Sequence, residues 1–137
     1  MADYIVESRM WLPKPRAEVF AFFTDPANLP RVTPPWLGLR VIGTPPALAA
    51  GATFDLRITW RGVPFRWRTF IREYDPPFRF LDVQVRGPYA RWEHRHLFRV
   101  RLRLFKQGLD LLKGAHLEFI AQFASHLPCI RRLVVLE

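Results

Sequence analysis

Between Phe54 and Phe98 the chain alternates apolar and charged residues in successive runs separated by turn signals, a pattern that confines it to an antiparallel sheet with one buried face. Phe54, Leu56, Ile58 and Trp60 alternate with Asp55, Arg57, Thr59 and Arg61. Past the Arg61-Gly62 turn, Phe65, Trp67, Thr69 and Ile71 oppose Arg66, Arg68 and Arg72, which reads as a hairpin. Asp75-Pro76-Pro77 marks the next turn, a strand is predicted over Phe78 to Arg86, and Gly87-Pro88 turns the chain again. Four strands joined this closely make a meander.

The last of these runs, GPYARWEHRHLF from Gly87 to Phe98, puts Trp92, His94, His96 and Phe98 on one side and Arg91, Glu93 and Arg95 on the other. The charged set cannot be buried unpaired at tolerable cost, so the aromatic and imidazole side is expected to face inward. A plain core would hold Val, Ile and Leu there. Two imidazoles between large rings point instead to a satisfied polar patch or to the lining of a cavity.

Before the meander, Tyr4 to Leu12 alternates as a first strand, and Pro13 and Pro15 stop it. Pro15 suits the start of a helix through Phe23, with Val19, Phe20, Phe22 and Phe23 as its apolar stripe. Asp25-Pro26 breaks that helix, and Asp25 is placed to cap a second short one through about Leu29. A strand over Trp36 to Ile42 and a Pro/Ala/Gly loop from Gly43 to Gly51 are expected next. Toward the C-terminus, His96 to Phe105 still alternates, Gly108 to Leu127 has the spacing of an amphipathic helix interrupted at Gly114, and Cys129 to Glu137 suits a short helix or strand.

The 137 residues suit one domain, 1–137, and half of them are hydrophobic, which excludes a disordered chain. No run of about 18 uncharged apolar residues could cross a membrane. The segment MADYIVESRMW mixes acidic and basic residues where a signal peptide needs an apolar stretch, and a lone Cys129 forms no internal disulfide, so a cytoplasmic setting is predicted. The net charge of +9 comes almost wholly from arginine, since Lys14, Lys106 and Lys113 are the only lysines. These arginines are dispersed along the outward halves of strands. They predict solvated faces, with no specific nucleic-acid binding and at most weak contact with an anionic membrane.

The order of strand, two short helices, antiparallel meander and C-terminal helix, together with FxxFxTDPANLPRVTPP from Phe20 to Pro35 and GPYARWEHRHLF, resembles the START-like or SRPBCC superfamily, within it the polyketide cyclase/dehydrase-like proteins. The resemblance covers roughly residues 3–98. It implies an α+β helix-grip fold, in which a curved antiparallel sheet wraps around a C-terminal helix and leaves a cavity between sheet and helices. Residues 99–137 depart from the family pattern: the Gly-Gly-Thr-like turn, acidic strand, proline-rich link and Arg/Leu-rich helix of similar proteins are absent or rearranged there.

The function expected from these readings is binding of a hydrophobic or amphipathic small molecule, such as a lipid, isoprenoid or polyketide-like compound, without a cofactor. Trp60, Trp67, Tyr89 and Trp92 would supply flat contact surface, and His94, His96 and Arg40 would orient a polar end. Two alternatives compete with it. One is a cyclase or dehydratase that uses His94 as acid/base, with Asp82 near enough on the neighbouring strand to pair across the sheet. The other is a basic surface-interaction module. A metal is not expected, because His94 and His96 lack evident third and fourth ligands, His116 and His126 being ten apart on an expected helix. The oligomeric state and the ligand's identity are not encoded in any motif.

Overall fold

The computed structural model describes residues 4–100, 103–105, 108–110 and 130–136. The first strand, β1 (Tyr4–Met10), buries Met10 and leaves Ile5, Glu7 and Arg9 outside, as its alternation requires. Helix α1 (Arg16–Phe23) follows Pro15 and buries Val19 and Phe20. It cannot continue through Pro26, because the residue before a proline is forced out of helical backbone. Asp25 instead caps a single 3-10 turn over Pro26–Asn28, its carboxylate accepting the Ala27 N–H at 3.0 Å. Helix α2 (Leu29–Val32) completes this elbow, and the Thr33 hydroxyl closes it by donating to the Leu29 carbonyl at 2.7 Å.

The strand expected over Trp36 to Ile42 is reduced to β2 (Arg40–Ile42). Pro35 opens a 3-10 turn over Pro35–Leu37 that ends on Gly38 in the left-handed region, so Leu37 is buried while Trp36 is 72% exposed. The meander then follows as read: β3 (Thr53–Trp60), β4 (Val63–Asp75), β5 (Arg79–Arg86) and β6 (Trp92–Phe98) pair antiparallel in sequence order. Arg61 and Gly62 both take positive φ, 49° and 80°, the backbone of a tight hairpin turn whose twist matches its strands. Phe78 departs from expectation. It belongs to the turn before β5, is 48% exposed, and lies under the Arg16 guanidinium, 4.4 Å from the ring centre.

The C-terminal part contains β7 (Arg103–Phe105) and β8 (Gly108–Asp110), an antiparallel pair, and β9 (Ile130–Leu136). Gly108 to Asp110 are therefore extended and do not begin a helix; the rest of the expected C-terminal helix lies outside the described residues. Strand β9 runs parallel to both β1 and β6, giving a seven-stranded sheet in the order β1-β9-β6-β5-β4-β3-β2. Two apolar clusters cover its inner face: one around Leu37, Leu56, Trp67 and Ile71, the other joining Met10, Val19 and Phe20 to Phe80 and Phe98. No helix among the described residues is long and apolar enough to cross a membrane.

The outer face carries the arginines in rows. Arg40, Arg57 and Arg66 stand opposite one another across β2, β3 and β4, and Arg68 opposes Arg86 across β4 and β5. Asp55 accepts from Arg68 through both oxygens at 2.7 and 2.9 Å and from Arg66 at 2.7 Å. The hydrogen bonds from Arg68, then Arg66, hold its carboxyl well below the usual carboxylate range. Glu93 is turned outward as expected, yet it is covered by Arg72 and Arg91, each 2.9 Å away. Burial pushes its carboxyl up, but the hydrogen bonds from Arg91 and Arg72 outweigh this and leave it below its ordinary value.

Candidate functional site

The helical elbow stands off the sheet and encloses with it a cavity of about 150 Å³. Its sheet wall comes from the inward halves of the alternating strands: Phe54, Leu56 and Ile58 of β3, Trp67, Thr69 and Ile71 of β4, then Phe80 and Asp82 of β5. Phe23, Pro26, Leu29 and Leu37 form the opposite wall. The histidine strand contributes Trp92, His94 and His96, so the inward facing predicted for these residues holds, with His96 8% exposed.

The polar groups of the cavity cluster where β5 meets β6. Asp82 is directly opposite His94 in the register, and Phe80 is opposite His96. Asp82 Oδ2 accepts the His96 Nε2–H at 3.0 Å and lies 3.5 Å from His94 Nδ1. The two imidazoles touch, their centres 3.9 Å apart, and Phe80 stacks on His96 at 3.9 Å and 17°. The other ring nitrogen of His96, Nδ1, is buried and has no hydrogen-bond partner among the described residues.

Of the residues singled out in the sequence, Trp67, Trp92, His94 and His96 line this cavity together, while Trp60, Tyr89 and Arg40 do not. Trp60 is half-buried at the rim of the first apolar cluster, beside the hairpin turn, where the Arg61 guanidinium lies 5.2 Å from its ring centre. Arg40 is exposed on β2, within the outer row of arginines. Tyr89 is buried behind the lining, with Trp67 and Trp92 packed against it at 5.8 and 5.1 Å, and burial pushes its hydroxyl up from its ordinary pKa. Gln84 fixes it there by donating to the Tyr89 carbonyl at 2.6 Å. A Cβ at Gly87 would collide with that glutamine side chain, which would have to shift and give up its bond to Tyr89.

The lining residues that sequence reasoning did not single out are those of the elbow wall, Leu37, Leu39 and Leu48 beyond it, and Thr69. The elbow gave no signal because a short greasy helix and a proline-rich return read as ordinary packing. Thr69 did give one: it is the polar member of an otherwise apolar inward set, Phe65, Trp67 and Ile71.

The structure also corrects the argument about metals. Asp82 is a third candidate ligand, and its carboxylate and the two imidazoles offer atoms within 4.8 Å of one another. A metal on His96 Nε2 would move the remaining proton to Nδ1. That N–H would be buried with no acceptor among the described residues, whereas metal-bound histidines almost always donate their second N–H. The triad fits a hydrogen-bonded polar cluster better than a metal centre.

An apolar chamber between a meander sheet and a helical elbow, with one small polar cluster inside it, defines an α+β protein consistent with the helix-grip class. The chain belongs to the family described as "Polyketide cyclase / dehydrase and lipid transport", whose model matches residues 12–133. No curated protein matches it.

Proposed function

We propose that this protein holds a hydrophobic or amphipathic small molecule, of the lipid, isoprenoid or polyketide-like kind, in the cavity between sheet and elbow. The observation that carries this reading is the lining itself: mostly apolar side chains on both walls and, among the described residues, ionisable groups only at Asp82, His94 and His96. The family, whose description covers both cyclases and lipid transport, supports it. Trp67 and Trp92 supply flat contact, Tyr89 stiffens them from behind, and the imidazoles orient a polar end. Micromolar affinity needs about 8 kcal/mol, which roughly 300 Å² of buried apolar ligand surface supplies before ordering costs. A hydrophobic fluorophore should therefore bind in that range and quench emission from Trp67 and Trp92. A screen of lipids, isoprenoids and aromatic polyketides in which nothing binds the folded protein would overturn the proposal.

The Asp82 carboxylate beside two imidazoles favours one second reading, a cyclase or dehydratase with His94 as acid/base. His94→Phe separates the two. An enzyme loses turnover in this variant although an apolar fluorophore still binds, whereas a container shows no turnover in either form.

A further inference from the structure

The described lining of the cavity carries a chemical preference set by a residue type it lacks. The chain holds 21 lysines and arginines against 12 acidic residues, yet no lysine or arginine is among the described residues that line the cavity. Its polar lining is Thr33, Thr69, Asp82, His94 and His96. Thr33 is already committed, its hydroxyl donating to the Leu29 carbonyl.

Two groups are not committed. Asp82 directs Oδ2 at both imidazoles, while Oδ1 has no hydrogen-bond partner among the described residues. The Thr69 hydroxyl, on a residue only 3% exposed, likewise makes no side-chain hydrogen bond to a described residue. Ile71 is directly opposite Asp82 in the register and Thr69 is two residues before it, so Thr69 and Asp82 are diagonal neighbours on the inner face. An acceptor and a hydroxyl therefore line the same apolar chamber as diagonal neighbours, a spacing that one ligand hydroxyl group can bridge. Both groups are open to a hydrogen bond from within the chamber, and a ligand that satisfies them on entering is favoured over one that displaces water from them without replacing its bonds.

We propose, building on the reading of the cavity as a ligand container, that the polar end of the ligand is an uncharged hydroxyl group, alcoholic, phenolic or enolic, that donates to Asp82 Oδ1 and accepts from the Thr69 hydroxyl. Carboxylates and phosphates are excluded. A ligand anion would leave water to meet the Asp82 carboxylate, where no guanidinium or ammonium stands among the described lining residues and the two imidazoles are already turned to Asp82 Oδ2, and like charges repel strongly where the dielectric is low.

The test is calorimetric titration of the full chain at pH 7.5 with toluene, 4-methylphenol and 4-methylbenzoate, sized for a cavity comparable to one known to hold a single benzene ring. The phenol should bind at least tenfold more tightly than toluene, and the benzoate at least tenfold more weakly. Thr69→Val, which keeps the shape and removes the hydroxyl, should lower the phenol-to-toluene affinity ratio at least fivefold. Asp82→Asn should raise benzoate affinity at least tenfold; if that variant does not fold, Thr69→Val and the three probes on the wild type decide the matter. Benzoate binding as well as phenol, phenol binding no better than toluene, or an unchanged ratio in Thr69→Val each overturns the hydroxyl proposal while leaving the container reading intact. Binding of none of the three overturns the container reading and the hydroxyl proposal with it.

Discussion

Truncating Trp92 to Ala distinguishes a cavity wall from a closed core. Trp92 is half-buried, packs edge-on against Trp67 at 5.3 Å and tilted by 31° against Tyr89 at 5.1 Å, and borders the cavity. Removing a fully enclosed Phe or Trp side chain costs about 3–5 kcal/mol, of which the void left behind is a substantial part. At position 92 much of that void already exists, so the cavity term shrinks. What remains is the transfer of the indole and the two aromatic contacts, each worth about 0.5–1.5 kcal/mol. The expected cost is about 2–3 kcal/mol by the same scale. Phe20 provides the internal reference: it is buried, touches the rings of Tyr74, Phe80 and Phe98, and does not line the cavity, so Phe20→Ala should cost the full amount, about 3–5 kcal/mol. Urea unfolding of both variants, followed by far-ultraviolet circular dichroism with slopes held equal, measures the difference. A Trp92→Ala cost equal to or above that of Phe20→Ala would refute the claim that Trp92 faces open space.

Other outcomes follow from the charges and the polar cluster. Because the Asp55 carboxyl sits below the usual range in the folded protein, its contribution is fully present above about pH 4 and is lost as the pH falls toward the folded value. Asp55→Asn should therefore flatten the acid limb of the stability curve, and an unchanged limb would show that the Arg66 and Arg68 bonds contribute nothing. Elemental analysis of protein purified without an affinity tag should find no stoichiometric zinc or iron, and added zinc should not raise the melting temperature; a one-to-one metal content would reverse the second-nitrogen argument at His96. Duplex DNA should associate weakly and be released at physiological salt, since the arginines are spread over several strands. Tight, sequence-selective binding under those conditions would count against this.

The meander was legible because period-two alternation and turn residues act locally. Each strand from β3 to β6 carries its own facing information, and Arg61-Gly62 and Asp75-Pro76-Pro77 fix where it reverses. What escaped was decided partly by local turns that overrode the alternation and partly by how strands meet across the sheet. Trp36 has an apolar side chain in an apparently extended run, but Pro35 and Gly38 impose a 3-10 turn that swings it outward. Phe78 matches the period of Phe80, yet the preceding turn takes it before the strand begins. At the site, the pairing of Asp82 with His94 could be read from strand adjacency, whereas the second contact, to His96, depends on side-chain direction. Arg40 looked suited to a polar ligand end by type alone, and the register of β2 placed it on the outer face.

The rows of arginine have a consequence for how this fold meets its solvent. In most proteins electrolyte erodes stability by screening attractive surface pairs. Here the register sets Arg40, Arg57 and Arg66 shoulder to shoulder and Arg68 against Arg86, and cross-strand like charges push strands apart. Asp55 offsets part of this at Arg66 and Arg68; anions from the medium that settle between the remaining guanidinium groups relieve the rest, so the melting temperature is expected to rise from dilute buffer to moderate salt. The counterion layer thus acts as an outer cladding of this sheet face, supplied by the surroundings and not encoded in the chain.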